Sequence, residues 1–200
     1  MIFFDIDTQH DFLDHDGALA VPDAQAILPN IETLLKAAGE HRITTVSSRC
    51  AHGPNDPEFA IFPPHCIEGT YGAERVFADL PKLPRREIAV DAKPESDFHL
   101  APATHYVVKK QAYDLFTNAW LESVREGEEF TGKTCIVFGV ATDYCVRAAA
   151  LGLAAAEAKV LLVEDAVRGV APETTAKTID EMRAAGVEFT TTQEVLKIIA

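Results

Sequence analysis

The sequence predicts an α/β fold in three layers, α/β/α, with a six-stranded, mainly parallel, Rossmann-like sheet at its centre. Two observations predict it. Six short runs of strand-forming residues alternate with helical patterns, as in βαβ units, which place helices on both faces of a parallel sheet. The chain has 200 residues, 48% of them hydrophobic and 24% charged, as in an ordinary globular protein. We therefore expect one domain, residues 1–200.

The predicted strands are short, and the clearest, such as 135–138, are apolar runs rich in strand-forming residues. Helix 24–40 shows apolar residues at a helical spacing, and the helix that contains Cys145 is rich in Ala and Leu. In chain order, the strands are 1–4, 43–48, 106–108, 134–138, 160–163 and 187–190. The helices are 24–40, 118–126, the helix that contains Cys145, 173–185 and 193–200.

Two features mark the limits of these elements. Pro29 lies in the first turn of helix 24–40, where its missing N–H does no harm, and Gly186 ends helix 173–185. Two Pro-rich segments, 49–71 and 78–102, have no clear periodicity, and we predict irregular structure for both. A loop as long as the first of these is usually functional or disordered, and its aromatic, Cys and His content favours function.

The balance of charge excludes several classes of partner. Eighteen basic residues against 31 acidic ones give a net charge of −13, so we expect neither nucleic acid nor an anionic membrane as a partner. No apolar run reaches the roughly 20 residues of a membrane span. The first residues lack the basic region of a signal peptide, and the four cysteines form no Cys-x-x-Cys pair. We therefore expect reduced thiols in a cytoplasmic protein.

Cys145 is the most informative of the four cysteines. The run 135–138 is a buried-strand pattern, and Thr142 follows it at a position that suits a helix N-cap, with Asp143 in the first turn. Cys145 would then lie at a helix N-terminus, where free N–H groups and the dipole favour a thiolate. The alternative is a buried structural cysteine, the commoner role of a thiol with no disulfide partner.

Three ionisable residues follow three predicted strands, namely Asp7, Lys110 and Cys145. Because parallel strands share one carboxyl edge, these groups could converge there. A thiolate attacks, a cation stabilises it and a carboxylate transfers the proton. The alternatives are a solvated acid at Asp7 and a surface lysine at Lys110, with Lys109 as its competitor. No Gly-x-Gly-x-x-Gly or Walker A motif is present, so we expect no nucleotide cofactor.

Three segments, in the same order along the chain, resemble motifs of the isochorismatase-like cysteine hydrolases, which include the nicotinamidases. The segments are DTQHDF at 7–12, KQAYDLF at 110–116 and GVATDYCVR at 139–147, and Asp165-Ala166-Val167 matches a fourth, shorter one. His10 departs from the usual Asn. The resemblance selects Lys110 over Lys109 and implies a six-stranded parallel sheet and an Asp7–Lys110–Cys145 catalytic triad. It also implies a cis peptide between Val140 and Ala141, with an oxyanion hole formed by the N–H groups of Ala141 and Cys145.

Cys50, His52 and His65 are residue types that bind zinc or a similar divalent metal. The segment PPHC at 63–66 resembles the nicotinamidase W-P-x-H-C segment, whose His binds a metal together with a D-x-H pair. Here Cys50 replaces that Asp, which leaves open a softer site or a lost one. The substrate pocket is predicted to include Phe12, Tyr144 and Phe62, the last at a position where nicotinamidases often have Trp.

The resulting prediction is a cysteine amidohydrolase that acts on a small amide through a thioester, with nicotinamide converted to nicotinate and ammonia. One alternative is another reaction of the same family, on a ureido or carbamoyl amide or on isochorismate. A second alternative is a non-catalytic binding module. We also predict a homo-oligomer, dimeric or tetrameric, and an unusually acidic Cys145 thiol.

Overall fold

The computed structural model describes residues 1–95 and 98–200 and contains a seven-stranded sheet in which every pairing is parallel. Its strand order is β3-β4-β2-β1-β5-β6-β7. The strands are β1 Ile2–Ile6, β2 Thr45–Cys50, β3 Arg85–Ile88, β4 His105–Lys110, β5 Thr134–Val140, β6 Lys159–Arg168 and β7 Glu188–Thr190. The fold class predicted from the sequence is confirmed.

Six α-helices connect or flank the strands within the described residues. They are α1 His10–Leu13, α2 Leu28–Glu40, α3 Ala119–Glu126, α4 Arg147–Ala155, α5 Pro172–Ala184 and α6 Thr192–Ile199. Short 3-10 turns lie at Ala24–Ile27, Pro57–Ala60, Tyr71–Ala73 and Leu115–Thr117, and a π-helical turn lies at Thr142–Val146. None of the helices described is long and apolar enough to cross a membrane.

The sheet is covered on both faces, which explains why β1 and β5 are mostly apolar. In β1, Phe4 and Ile6 belong to one buried cluster, which also includes side chains of α3, α4 and α5. Phe3 points to the opposite cluster, against α2 and α6. Successive residues of a strand alternate between faces, so a strand that is covered on both sides needs apolar residues at nearly every position.

The sheet has seven strands and not the predicted six. The additional strand, β3, lies inside segment 78–102, for which we predicted irregular structure, and it pairs with β4 at the edge of the sheet. Three of its four residues are charged and only Ile88 is buried, so the sequence shows no apolar run there. Charged side chains are common on edge strands because they discourage further pairing. Residues 96 and 97 of the same segment lie outside the described residues.

Candidate active site

The candidate site lies at the point in the sheet where the strand order reverses, on either side of β1. β1 occupies the middle of the sheet, with β2 on one side and β5 on the other. In open parallel sheets, ligands bind at the carboxyl ends of the strands beside such a switch point. Asp7 follows β1, Lys110 is the last residue of β4 and Cys145 follows β5. The structure therefore brings the three predicted residues to one edge.

Lys110 is the centre of this cluster. Its Nζ lies 2.8 Å from Asp7 Oδ2 and 3.7 Å from Cys145 Sγ. It also donates to Cys50 Sγ at 3.1 Å and to the Ala112 carbonyl at 3.0 Å. Asp7, Lys110 and Cys145 are all buried. An ammonium can be buried when it is paired and hydrogen-bonded in this way.

The competing lysine lies elsewhere. Lys109 forms a salt bridge with Glu68, whose carboxylate is more than half exposed. Alternate residues of a strand point to opposite faces, so the side chain next to Lys110 in β4 cannot share its surroundings. The geometry thus agrees with the choice of Lys110 that the motif indicates.

Ser48 completes the surroundings of Asp7, and sequence reasoning missed it. The Ser48 hydroxyl donates to Asp7 Oδ1 at 2.6 Å, and its oxygen accepts the Asp7 N–H at 3.2 Å. Asp7 itself has a positive φ of 48°, which turns the chain sharply after β1. The only signal in the sequence is that Ser48 lies two residues before Cys50 and thus on the same side of β2.

The electrostatics of Cys145 differ from the prediction. Burial, together with the Asp7 carboxylate, raises the pKa of the Cys145 thiol well above its usual value, and Lys110 opposes this shift without cancelling it. Burial lowers the pKa of Lys110, but Asp7, Cys145 and Cys50 hold that pKa well above its usual value. The predicted acidic thiol is therefore wrong for the free protein, which holds an ammonium–carboxylate pair beside a neutral thiol.

The turn that carries Cys145 also departs from the predicted helix start. Ala141, and not Thr142, occupies the N-cap position, and no side chain caps the turn. The N–H groups of Tyr144 and Val146 both donate to the Ala141 carbonyl, at 3.0 and 3.1 Å, so the first turn is π-helical. The Val140–Ala141 peptide is cis, as the resemblance implies.

Asp143, in the first turn before α4, contacts the segment that follows β6. Its carboxylate accepts the Val170 N–H at 2.9 Å, the Ala171 N–H at 3.3 Å and the Thr174 hydroxyl at 2.5 Å. Those residues belong to the connection from β6 to α5 and to the start of α5. Through these hydrogen bonds, Asp143 links the turn that carries Cys145 to the connection between β6 and α5.

A cavity of about 140 Å³ opens beside Cys145, and its wall is largely apolar. The structure places Phe12, Phe62 and Tyr144 in this wall, with the Phe62 and Tyr144 rings edge to face at 5.7 Å. Ala141 also lines the cavity. Sequence reasoning did not identify the remaining lining residues, which are Leu19, Val21, Glu58, Tyr113, Val140 and Val170.

The three residues predicted to bind a metal also come together. Cys50, His52 and His65 are buried, and one candidate ligand atom from each lies within 4.8 Å of the others. His65 Nδ1 lies 2.8 Å from the Pro63 carbonyl. The carbonyl oxygen can accept a hydrogen bond from Nδ1–H, which leaves Nε2 free for a metal. Burial lowers the pKa of His65 and thereby favours the neutral imidazole that coordination requires.

His52 gives an independent reason to place a metal here. Both of its ring nitrogens are buried and make no hydrogen bond to any described residue. Yet Asp56 Oδ2 lies 3.0 Å from Nδ1, and Glu58 Oε2 lies 3.2 Å from Nε2. Sequence reasoning missed both carboxylates, which lie in a loop without periodicity. The donor set of sulfur, nitrogen and oxygen atoms fits a divalent metal.

Two residues of segment 7–12 hold the backbone beside Cys50, His52 and His65, which we call the metal-type group. The Gln9 amide donates to the Cys50 carbonyl at 2.8 Å and accepts the Cys50 N–H at 2.7 Å. Asp11 Oδ2 accepts the Cys66 N–H at 2.6 Å, next to His65. The motif therefore fixes the backbone on both sides of the group.

A buried cysteine beside a lysine–aspartate pair at the carboxyl edge of a parallel sheet is the arrangement of a cysteine hydrolase. A sequence profile of the Isochorismatase domain matches residues 1–194, and the chain belongs to this family. This family, together with the relatives described next, indicates a hydrolase that acts on amide C–N bonds.

Two curated relatives cover nearly the whole chain. The nicotinamidase/pyrazinamidase of Mycobacterium tuberculosis is 28% identical over 202 residues, which span 92% of this chain and 95% of that protein. The nicotinamidase of Saccharomyces cerevisiae is 24% identical over 213 residues, which span 91% and 95%.

Solved structures agree with this assignment. The pyrazinamidase of Pyrococcus horikoshii, determined in complex with zinc, has a TM-score of 0.75 and 30% identity, with 95% of this chain and 98% of that chain covered. The N-carbamoylsarcosine amidase of Thermoplasma acidophilum has a TM-score of 0.69 and 22% identity, with 96% and 95% covered. The second comparison shows the shared fold alone.

Proposed function

We propose that the protein hydrolyses nicotinamide to nicotinate and ammonia through a thioester on Cys145. The observation that supports this most directly is the buried contact of Lys110 with both Asp7 and Cys145, beside a small aromatic cavity. A thiol, a carboxylate and an ammonium are together sufficient for acyl transfer. The similarity to nicotinamidases along the chain supports the choice of amide.

In the first half of the reaction, Cys145 Sγ attacks the amide carbonyl and transfers its proton to Asp7. Because the thiol is neutral in the free protein, proton transfer accompanies the attack, and Lys110 stabilises the sulfur while charge develops on it. The backbone N–H groups of Ala141 and Cys145 would donate to the oxyanion. Asp7 then returns the proton to the leaving nitrogen, the C–N bond breaks and ammonia departs.

In the second half, water attacks the thioester carbonyl and gives a proton to Asp7. The C–S bond breaks, and the proton passes from Asp7 to the Cys145 sulfur. Nicotinic acid leaves and ionises in solvent. Ser48 keeps the Asp7 carboxylate oriented through both halves, because its hydroxyl holds Oδ1 while Lys110 holds Oδ2.

We further propose that Cys50, His52 and His65, with Glu58 beside them, hold a divalent metal such as zinc. When bound, the metal would supply a Lewis-acid position for a ring nitrogen or a water molecule. Glu58 and His65 line the same cavity as Cys145, which supports a role close to the substrate. The zinc complex of the Pyrococcus horikoshii relative supports the choice of metal.

The charge of the cavity favours a neutral amide over the alternative substrates. The residues described in its lining include the acidic Asp7 and Glu58 but no arginine or lysine. Isochorismate and N-carbamoyl amino acids carry carboxylates, and the nearby Lys110 ammonium is already paired with Asp7, so a second carboxylate would have to compete for it or for the proposed metal. A flat, neutral ring fits the walls formed by Phe12, Phe62 and Tyr144.

An assay of ammonia release would test the proposal. The substrates would be nicotinamide, an N-carbamoyl amino acid and a primary aliphatic amide, with isochorismate followed separately by its own absorbance. We expect the highest kcat/KM for nicotinamide and none above background for Cys145→Ala. Preference for the carbamoyl compound would assign the protein to the alternative reaction, and no turnover of any substrate would support a binding module.

Three further properties remain proposals. We propose that residues 1–200 form one catalytic domain and that it assembles as a dimer or tetramer. We also propose a cytoplasmic location, which is supported by the four cysteines, all of them free thiols.

A further inference from the structure

We propose that Cys50 makes the metal site a thiolate site, which selects zinc and other thiophilic cations, such as cadmium and cobalt, over manganese and magnesium. This inference rests on the metal part of the proposed function and specifies its ligand chemistry. When the metal binds, the metal–sulfur bond forms and the thiol proton leaves to solvent. The cation then meets one sulfur and two imidazoles in addition to the neighbouring carboxylate.

The position of the Cys50 sulfur is fixed by the backbone around it. Cys50 ends β2, opposite Lys110 of β4 in the register. Gln9 holds both its N–H and its carbonyl, and the whole residue is buried. Because sulfur, unlike a surface thiol, cannot turn to solvent here, it stays within 4.8 Å of the ligand atoms of His52 and His65.

Two charged groups lie beside the sulfur, the Lys110 ammonium and the Asp7 carboxylate, whose Oδ2 is 3.8 Å from it, and the ammonium favours a negative sulfur. Lys110 Nζ donates to Cys50 Sγ at 3.1 Å, and a thiolate that accepts such a bond retains lone pairs for a metal. An ammonium beside a metal-bound thiolate is a charge-assisted hydrogen bond. The same lysine contacts Cys145 Sγ, so the metal ligand and the nucleophile share one donor.

The other donors favour the same class of cation. Asp56 Oδ2 lies 3.0 Å from His52 Nδ1, and Glu58 Oε2 lies 3.2 Å from Nε2, so a carboxylate faces each ring nitrogen. Carboxylate partners of this kind are common behind metal-bound histidines. One thiolate and two imidazoles are the ligands of zinc sites, whereas manganese and magnesium prefer oxygen ligands.

Cobalt spectroscopy on the metal-free full-length protein would test the inference without any measurement of turnover. We expect cobalt to give the wild type a near-ultraviolet sulfur-to-cobalt charge-transfer band. The band should be lost in Cys50→Asp, which replaces the thiolate by a carboxylate. It should remain in Cys135→Ala, which removes a thiol that is buried in β5, outside the metal-type group.

Competition dialysis between zinc and manganese, read by elemental analysis, measures the selectivity directly. We expect the preference for zinc to fall by at least about tenfold in Cys50→Asp relative to both the wild type and Cys135→Ala. His52→Ala should lose both metals. Equal preference in Cys50→Asp and wild type would overturn the inference.

The wild-type spectra keep the test decisive even if Cys50→Asp fails to fold. A cobalt-loaded or cadmium-loaded wild-type protein without a sulfur charge-transfer band would exclude the thiolate. The assay of ammonia release stands apart from these readouts. A sulfur band in a protein that does not hydrolyse nicotinamide would contradict the proposed function and leave the metal assignment in place.

Discussion

The Lys110 ammonium donates to the Cys50 sulfur across 3.1 Å, and the two residues are direct neighbours in the register of β4 and β2. The same nitrogen lies 2.8 Å from Asp7 Oδ2. One buried cation therefore contacts both the proposed catalytic residues and the metal-type group, and we expect its removal to affect both.

We expect Lys110→Met to lower kcat by on the order of a thousandfold or more, since groups that act as a unit are each needed. It should also destabilise the fold by about 3–5 kcal/mol, because Asp7 is left buried without its partner. Lys109→Met is the matched control and should change neither property much, since Lys109 makes only a partly exposed salt bridge. Steady-state kinetics and urea unfolding provide the two measurements.

The double variant Asp7→Asn/Lys110→Met separates the two effects. It should recover part of the stability lost in Lys110→Met, because no unpaired charge remains, while activity stays absent. A double variant that is as unstable as the single one would contradict the buried ion pair as the source of the loss.

We expect Ser48→Ala to reduce kcat by about tenfold or more and stability by about 1–3 kcal/mol, because Asp7 Oδ1 loses its hydrogen bond inside the protein. Ser47→Ala is the control. Ser47 is also buried and donates to Asp5 at 2.9 Å, so it should lose similar stability and keep kcat. Equal kcat losses in the two variants would indicate a general effect of unfolding and not a role for Ser48 in orienting Asp7.

The pH dependence of Cys145 alkylation follows from its surroundings. Burial and Asp7 raise the pKa of the thiol in the free protein, so iodoacetamide labelling should be slow at neutral pH and rise only above the free-thiol value of roughly 8.5. In Asp7→Asn, the loss of the negative charge should move the profile to lower pH. Rapid labelling of the wild type at pH 7 with no effect of Asp7→Asn would contradict this account.

Alkaline pH should destabilise the protein through its buried thiols. Burial raises the pKa of Cys135 from 9.0 to about 12. Between these values, the unfolded chain loses a proton that the folded protein keeps, so the free energy of unfolding should fall by about 1.4 kcal/mol per pH unit for this group. Urea unfolding at pH 8 to 11 should show a smaller decline in Cys135→Ala. Parallel declines in the two proteins would show that Cys135 does not contribute.

Removal of the metal should lower the thermal stability, because a ligand that binds only the folded state stabilises it. After chelation, added zinc should restore Tm in the wild type. Glu58→Gln should need about 10–100 times more zinc for the same shift if its carboxylate assists binding. A Tm that responds to neither chelator nor zinc would argue against the site at Cys50, His52 and His65.

The residues at the strand ends could be predicted for two reasons. Parallel topology brings strand ends to one edge, and the motifs identify which residue at each end belongs to the site. Ser48, Asp56 and Glu58 could not be predicted, because their roles depend on tertiary contacts that leave no periodic pattern in the sequence. The edge strand β3 has no apolar run to reveal it. The acidity of Cys145 was predicted wrongly because a helix N-terminus is visible in the sequence, whereas burial and the nearness of Asp7 are not.

The described residues of the cavity lining include no arginine or lysine, and this affects how the product binds. Nicotinamide enters uncharged, whereas the nicotinic acid that leaves ionises in solvent and must rebind as an anion beside the Asp7 carboxylate. Charge repulsion in a poorly solvated cavity acts only on the product. With no metal bound, we therefore expect nicotinate to bind more weakly than nicotinamide, so that accumulated product occupies the cavity less than substrate does.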